Sequence, residues 1–113
     1  CTMEMKLFDN WKDIPTIHLD LMDRKIFTGK NVMLVRNEVH PKTTMPAHSH
    51  RHEQLLYVES GACDVITDGQ VQHLEAGGVA WFPSNAEHSV VNTEDVPLVV
   101  FDIFTPIRED FLK

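Results

Sequence analysis

The chain has 113 residues, the ~100–150-residue size of one domain, which excludes a two-domain enzyme with a separate cofactor module. Apolar residues make up 42% and charged residues 24%, a globular composition that argues against disorder. A formal net charge of −7 argues against nucleic acid and anionic membrane surfaces as partners, while leaving any local arginine free to bind an acidic substrate.

No apolar run nears the ~20 residues of a membrane helix. The start, Cys1-Thr2-Met3-Glu4-Met5-Lys6, lacks the basic-then-apolar order of a signal peptide. Cys1 is not an initiator. The expectation is a processing or tag remnant, with Met3 or Met5 as the natural start and residues 1–6 a remnant or flexible lead. Residues 7–30 read as an N-terminal arm, with a helical turn over 11–14 before Pro15. The barrel is expected over 31–105 and a tail over 106–113.

Residues 32–39 are β-rich, and the second half alternates, with Val35, Asn37 and Val39 on one face. Pro41 ends the strand because it cannot donate to a ladder. Residues 54–59 form the next strand, ended by Ser60-Gly61. Residues 62–67 and 70–75 flank Asp68-Gly69, a dipeptide suited to the positive φ angles of a two-residue hairpin turn. Cys63 lies among these strand residues and reads as a packing residue. With only one other cysteine there is no disulfide framework, so a reducing cytoplasm is the expected compartment. Ala76-Gly77-Gly78 is a further turn. Residues 79–83, 88–92 and 98–104 complete the strands. A proline start, an acidic first turn and Ile107 four before Phe111 predict a short helix over 106–112. The pattern is all-β, an antiparallel barrel or two-sheet roll.

Seven histidines punctuate this pattern. His48, His50 and His52 alternate, and Gln54 continues the alternation. On an extended strand, residues two apart share a face, so His48, His50 and Gln54 can converge on one point inside a barrel. His88 returns antiparallel beyond a hairpin and a further strand. Imidazole nitrogens with a carbonyl oxygen suit Zn²⁺, Ni²⁺, Fe²⁺, Co²⁺ or Mn²⁺. His52 has ligand parity but sits where a loop entrance would let parity slip. His18, His40 and His73 have no partner at ligand spacing and read as surface residues.

Two motifs carry a family resemblance. The first is His48-Ser49-His50, three residues, Gln54, six residues, Gly61. The second is Gly77, five residues, Pro83, Ser84, Asn85, Ala86-Glu87, His88, three residues, Asn92. In this order the chain resembles the cupins, with Gln54 where that family has glutamate and Asn85 where it has a second glycine. Asn tolerates positive φ, so it fits the turn. The resemblance implies a double-stranded β-helix barrel with one divalent metal in its mouth, held by His48, His50, Gln54 and His88. Glutamine ligates as a neutral oxygen, which leaves the metal its full charge and favours Lewis-acid over oxygen-activating chemistry.

The stretch from Arg24 to Leu112, with Tyr57-Val58-Glu59-Ser60-Gly61 and the tail Asp102-Ile103-Phe104-Thr105-Pro106-Ile107-Arg108, is similar to the short pectin-degradation cupins, the KdgF-like proteins. That similarity implies ring opening of 4,5-unsaturated uronates to linear keto acids, with Asp102, Phe104 and Arg108 as functional residues. Ile107 departs from the family, where a second proline is usual. Read from the residues alone, Arg108 is a bidentate carboxylate anchor or a surface ion pair with Glu109 or Asp110. Asp102 is an inward general acid or base, or a structurally bonded carboxylate. Phe104 is a sugar floor or simple core.

Other classes share the frame. A cupin dioxygenase or another metal-dependent isomerase or lyase would act on a small molecule, and the dioxygenase would consume O₂. A non-enzymatic ligand-binding cupin would bind without turnover, and a metal-free structural barrel would be indifferent to chelation. Phe8, Trp11, Ile14 and Ile17 in the arm need burial, which predicts a homodimer with exchanged N-terminal strands.

Overall fold

The computed structural model describes residues 5–113, so the expected remnant and start sites at Cys1 and Met3 lie outside the described residues. A 3-10 turn at Trp11–Asp13 precedes ten strands: β1 (Ile17–His18), β2 (Met22–Thr28), β3 (Met33–Val39), β4 (Thr44–His48), β5 (Glu53–Ser60), β6 (Ala62–Thr67), β7 (Gln70–Glu75), β8 (Val79–Phe82), β9 (His88–Asn92) and β10 (Leu98–Thr105). They form two antiparallel sheets. A six-stranded sheet runs in the order β1-β2-β3-β10-β5-β8, and a four-stranded sheet runs β4-β9-β6-β7. From β3 to β10 the chain crosses between the sheets at every connection except the β6–β7 hairpin, which is the wrapped pattern of a double-stranded β-helix. No helix of the described residues is long and apolar enough to cross a membrane.

Period-two patterning holds where it matters. β3 buries Met33, Val35, Asn37 and Val39, and β10 buries Leu98, Val100, Asp102 and Phe104. The main core packs Val39, Leu56, Val58, Cys63, Val65, Phe82, Leu98 and Val100 at one end. A second cluster of Ile26, Met33, Val35 and Phe104 lies under the tail, covered by Ile107, Phe111 and Leu112. Between them, Asn37, Gln54, His88 and Asp102 are buried polar residues. Burial raises the Cys63 thiol to about 11, so it is an inert packing group.

The turns are as their residues demand. Asp68 and Gly69 have φ of 52° and 68° between β6 and β7, and Asn85 has φ of 66°. Gly61 has φ of 87°, and a Cβ there would meet Pro97 O at 3.1 Å, so glycine is required twice over. Asn92 is a splice. Its amide nitrogen donates to the carbonyls of Val39, His40 and Val96, and its Oδ1 accepts from the Glu94 N–H.

Three expectations need correction. Met22–Thr28 is a strand paired along its whole length with β3 of the same chain, so residues 7–30 are not all arm. The C-terminal element is a 3-10 turn at Glu109–Leu112, shorter than a helix over 106–112. His50 lies on no strand, because β4 ends at His48 and β5 begins at Glu53. Of the arm's apolar residues, Trp11 packs on Phe101 with ring centroids 5.9 Å apart, while Leu7 and Phe8 remain exposed.

Candidate metal centre

His48 closes β4 and lies opposite His88, the first residue of β9. The ladder shifts register between Met45 and His48, and such an irregularity re-aims a side chain. His50 is carried by the β4–β5 connection, which the second motif pins in place. The Asn85 N–H donates to His50 O at 2.8 Å, and the Ser84 hydroxyl donates to Arg51 O. The left-handed backbone of Asn85 thus presents an amide to the loop that carries His50. Gln54 comes from β5, on the opposite sheet. Convergence of His48, His50 and Gln54 therefore comes from a corner between sheets, not from a shared strand face.

One ring nitrogen from each of His48, His50 and His88 lies within 4.8 Å of the others. The Nδ1 atoms are engaged elsewhere. That of His48 is 3.0 Å from Pro46 O, that of His50 is 3.0 Å from His52 O, and that of His88 is 2.9 Å from Ala86 O. A carbonyl only accepts, so each Nδ1 carries the proton and each Nε2 presents a lone pair. His88 is 2% exposed and its ring stacks on Phe82 with centroids 4.1 Å apart. Burial pushes it down to about 4. Burial first, then the Arg108 charge, also lowers His50. Neutral imidazoles are what a metal needs.

The donors fit a cation by a direct test of polarity. His88 Nε2 is buried with no hydrogen-bond partner. His50 Nε2 lies 3.0 Å from Gln54 Oε1. Gln54 Nε2 donates to Asp102 Oδ1 at 2.9 Å, so its oxygen faces the histidine. Two acceptors then oppose each other, next to an orphaned third. A positive ion among them satisfies all of these lone pairs.

A cavity of ≈ 210 Å³ opens beside this cluster, lined by His48, His88, Asp102, Phe104, Arg108 and Arg24 among others. That is below the ~300–1,000 Å³ of drug-sized ligand sites, so it takes a small ligand. A larger groove of ≈ 840 Å³ runs along β6, β7 and β8, but of the converging groups only His88 lines it. Asp102 is 4% exposed, and Asn37 Nδ2 donates to its Oδ2 at 2.8 Å. Burial raises its pKa, opposed by the bonds from Asn37 and Gln54 and by the charges of Arg24 and Arg108. Arg108 forms a fork with Asp110, Nε to Oδ1 at 3.1 Å and Nη2 to Oδ2 at 2.9 Å. It still lines the cavity, with its guanidinium 5.0 Å from the Phe104 ring centroid and 4.2 Å from that of Phe111. The Nη1 side of the guanidinium is left for a ligand.

His52 is buried beside the site but outside the three-histidine group, its ring 6.4 Å from Phe104 and its Nδ1 without a partner. Two polar cavity residues, Arg24 and Asn37, escaped the reading of the site. Arg24 lies 3.9 Å over the Phe111 ring and donates from Nε to Asn37 Oδ1 at 2.9 Å. The signal was the alternation Met22, Arg24, Ile26, Thr28, which the charges of Asp23 and Lys25 obscured. Asn37 has inward parity between Val35 and Val39, and a buried amide there needs polar partners.

Comparison with known proteins agrees with this architecture. The Cupin domain family matches residues 35–104. The "Pectin degradation protein KdgF" of Dickeya dadantii (strain 3937) is 32% identical over 95 residues, 82% of this chain and 86% of that protein. The structure of an RmlC-like cupin from Shewanella frigidimarina superposes with a TM-score of 0.87 at 26% identity, covering 94% of this chain and 96% of the other. KdgF from Halomonas sp. superposes with a TM-score of 0.83 at 26% identity, covering 88% and 94%. Wrapped sheets, both histidine motifs and the matched span agree: the chain belongs to the cupin family, as a short cupin resembling KdgF.

Proposed function

We propose that this single domain is a metal-dependent enzyme that opens the ring of 4,5-unsaturated uronates to linear keto acids. The observation that carries the reading is the set of facing acceptors, three imidazole Nε2 atoms and Gln54 Oε1, beside a cavity that also holds Asp102, Phe104 and Arg108. The relation to a pectin degradation protein selects the substrate class.

In this reading His48, His50, His88 and Gln54 hold one divalent transition metal: Ni, Zn, Fe, Mn or Co. When bound, it supplies Lewis acidity toward a carboxylate, hydroxyl or water, undiminished by any ligand charge. The open side of the Arg108 guanidinium pairs with the uronate carboxylate, and Asp110 holds that guanidinium in place. Phe104 floors the sugar ring. Asp102 moves the proton. C4 of the enol ether gains one, and the water that adds at C5 loses one. The resulting hemiketal breaks its bond from C5 to the ring oxygen and yields the keto acid. The carboxylate oxygens of Asp102 each keep a lone pair beyond the bonds from Asn37 and Gln54.

The test is ultraviolet absorbance of a 4,5-unsaturated galacturonate monomer with protein, with chelator-treated protein, and with none. The enol ether absorbs and the keto acid does not. Decay above the spontaneous rate, abolished by chelation and restored by metal, is expected. Decay no faster than the blank, with metal bound, rejects this substrate. Exposed Leu7 and Phe8 support a homodimer, and a monomeric mass by light scattering would overturn that.

A further inference from the structure

The inner face of the six-stranded sheet carries a line of polar side chains across four strands. Arg24 Nε on β2 donates to Asn37 Oδ1 on β3 at 2.9 Å. Asn37 Nδ2 donates to Asp102 Oδ2 on β10 at 2.8 Å. Asp102 Oδ1 accepts from Gln54 Nε2 on β5 at 2.9 Å. Gln54 Oε1 ends the line 3.0 Å from His50 Nε2. Arg24 and Asn37 are directly opposite in the ladder. The other links are diagonal, since Asp102 lies opposite Val35 and Leu56, and Gln54 lies opposite Phe104. Such diagonals are within reach of long side chains.

The direction of this line is fixed from its outer end. A guanidinium has donors only, so Asn37 turns its oxygen to Arg24 and its NH₂ to Asp102. Both oxygens of Asp102 accept, Oδ2 from Asn37 Nδ2 and Oδ1 from the NH₂ of Gln54. The Gln54 oxygen is then left pointing at the histidines. An amide is nearly symmetric in shape, so packing alone does not choose between its ends. A reversed Gln54 would present two N–H groups to the histidine site and no lone pair. Neither Arg24 nor Asn37 belongs to the three-histidine group. We propose that Arg24 and Asn37 are positioning residues that lock the Gln54 amide with its oxygen toward the metal site. This rests on the metal reading of His48, His50, Gln54 and His88.

The experiment titrates Co²⁺ into the metal-free full chain against a competing chelator and records the visible spectrum, which reports the ligand set. Arg24→Lys keeps a donor-only group, whereas Arg24→Gln can face Asn37 with either end of its amide. Both lose the guanidinium over Phe111, so loss of that packing cannot separate them. Asn37→Leu removes the link. Outer partners of metal ligands are worth ~10–100-fold in affinity. Expected is a loss of that size in Asn37→Leu with an altered spectrum, a smaller loss in Arg24→Gln, and near wild-type binding in Arg24→Lys. Should Asn37→Leu fail to fold, the two Arg24 variants decide. A wild-type spectrum and affinity in Arg24→Gln would overturn the positioning role while leaving the metal reading intact. A wild-type chain that takes up no Co²⁺ would overturn the metal reading, and this inference with it.

Discussion

The three clustered histidines and two surface histidines are bound at the same ring atom by different groups. In the cluster, Nδ1 of His48, His50 and His88 meets backbone carbonyls of Pro46, His52 and Ala86. Outside, Nδ1 of His18 lies 2.9 Å from Asp23 Oδ1, and that of His73 lies 2.8 Å from Asp64 Oδ1. Burial lowers His50 and His88, whereas the bond to Asp64 raises His73. The carbonyl fixes the tautomer, and at His50 and His88 burial outweighs the rise that the carbonyl bond itself causes, and so yields a neutral ligand. An exposed carboxylate favours the imidazolium, which has no lone pair to give. Histidine count alone is therefore a poor guide to a metal site, and the Nδ1 partner is a good one.

The largest effect is expected from breaking the inner set. His88→Ala removes the one buried nitrogen of the three that has no partner. Metal content after gentle purification, read by elemental analysis, should fall further than the ~10–100-fold in affinity that outer partners contribute. Undiminished metal would place the ion elsewhere. Asp102→Asn comes next. It leaves all three histidines in place but puts an NH₂ in the line that orients Gln54, so metal affinity should fall by no more than ~10–100-fold, while turnover of the unsaturated uronate at saturating metal should fall by ~10²–10⁴. Retained turnover would remove Asp102 from the proton transfer.

Much of this contrast was legible in the sequence, for physical reasons that also set its limit. Parity placed Val35, Asn37 and Val39 on one face, and Asp102 with Phe104, because a half-buried strand must alternate. Asp68-Gly69 and Asn85 announced positive φ, because few residues tolerate it. What stayed hidden was lateral. Gln54 meets Asp102 across 48 positions of chain, and only the register of β5 against β10 brings them together. The strand Met22–Thr28 stayed hidden because Asp23, Arg24 and Lys25 look like a solvated run, although Arg24 faces inward. The grouping of His48, His50 and His88 was expected from a strand that does not exist at His50. A corner between two sheets produced the same convergence.

Leu98→Ala sharpens the comparison by disturbing the barrel without touching any histidine. Leu98 is fully buried in the main core, with Val39, Val58 and Cys63, on the same strand face as Asp102 but two inward positions away. Thermal or denaturant unfolding should show a loss of about 2–5 kcal/mol, the range for truncating a buried leucine. Metal affinity should change little, since the tethers on His48, His50 and His88 are local carbonyls. A parallel collapse of metal binding would show that the site depends on core packing.

The smallest effect tests the outer set by its sign. The Asp64 carboxylate holds His73 above its ordinary value of 6.5, so the folded chain keeps that proton to higher pH than the unfolded chain does. The pair's contribution to stability is therefore fully present below about pH 6.5 and is lost as pH rises through the raised value. His73 is exposed, so the contribution is small and salt-sensitive. Titration of the His73 ring by NMR should return toward 6.5 in Asp64→Asn. His88 in the same sample should remain low, because nothing about its burial or its bond to Ala86 has changed. An unmoved His73 would show that the carboxylate is not what distinguishes the outer histidines from the inner ones.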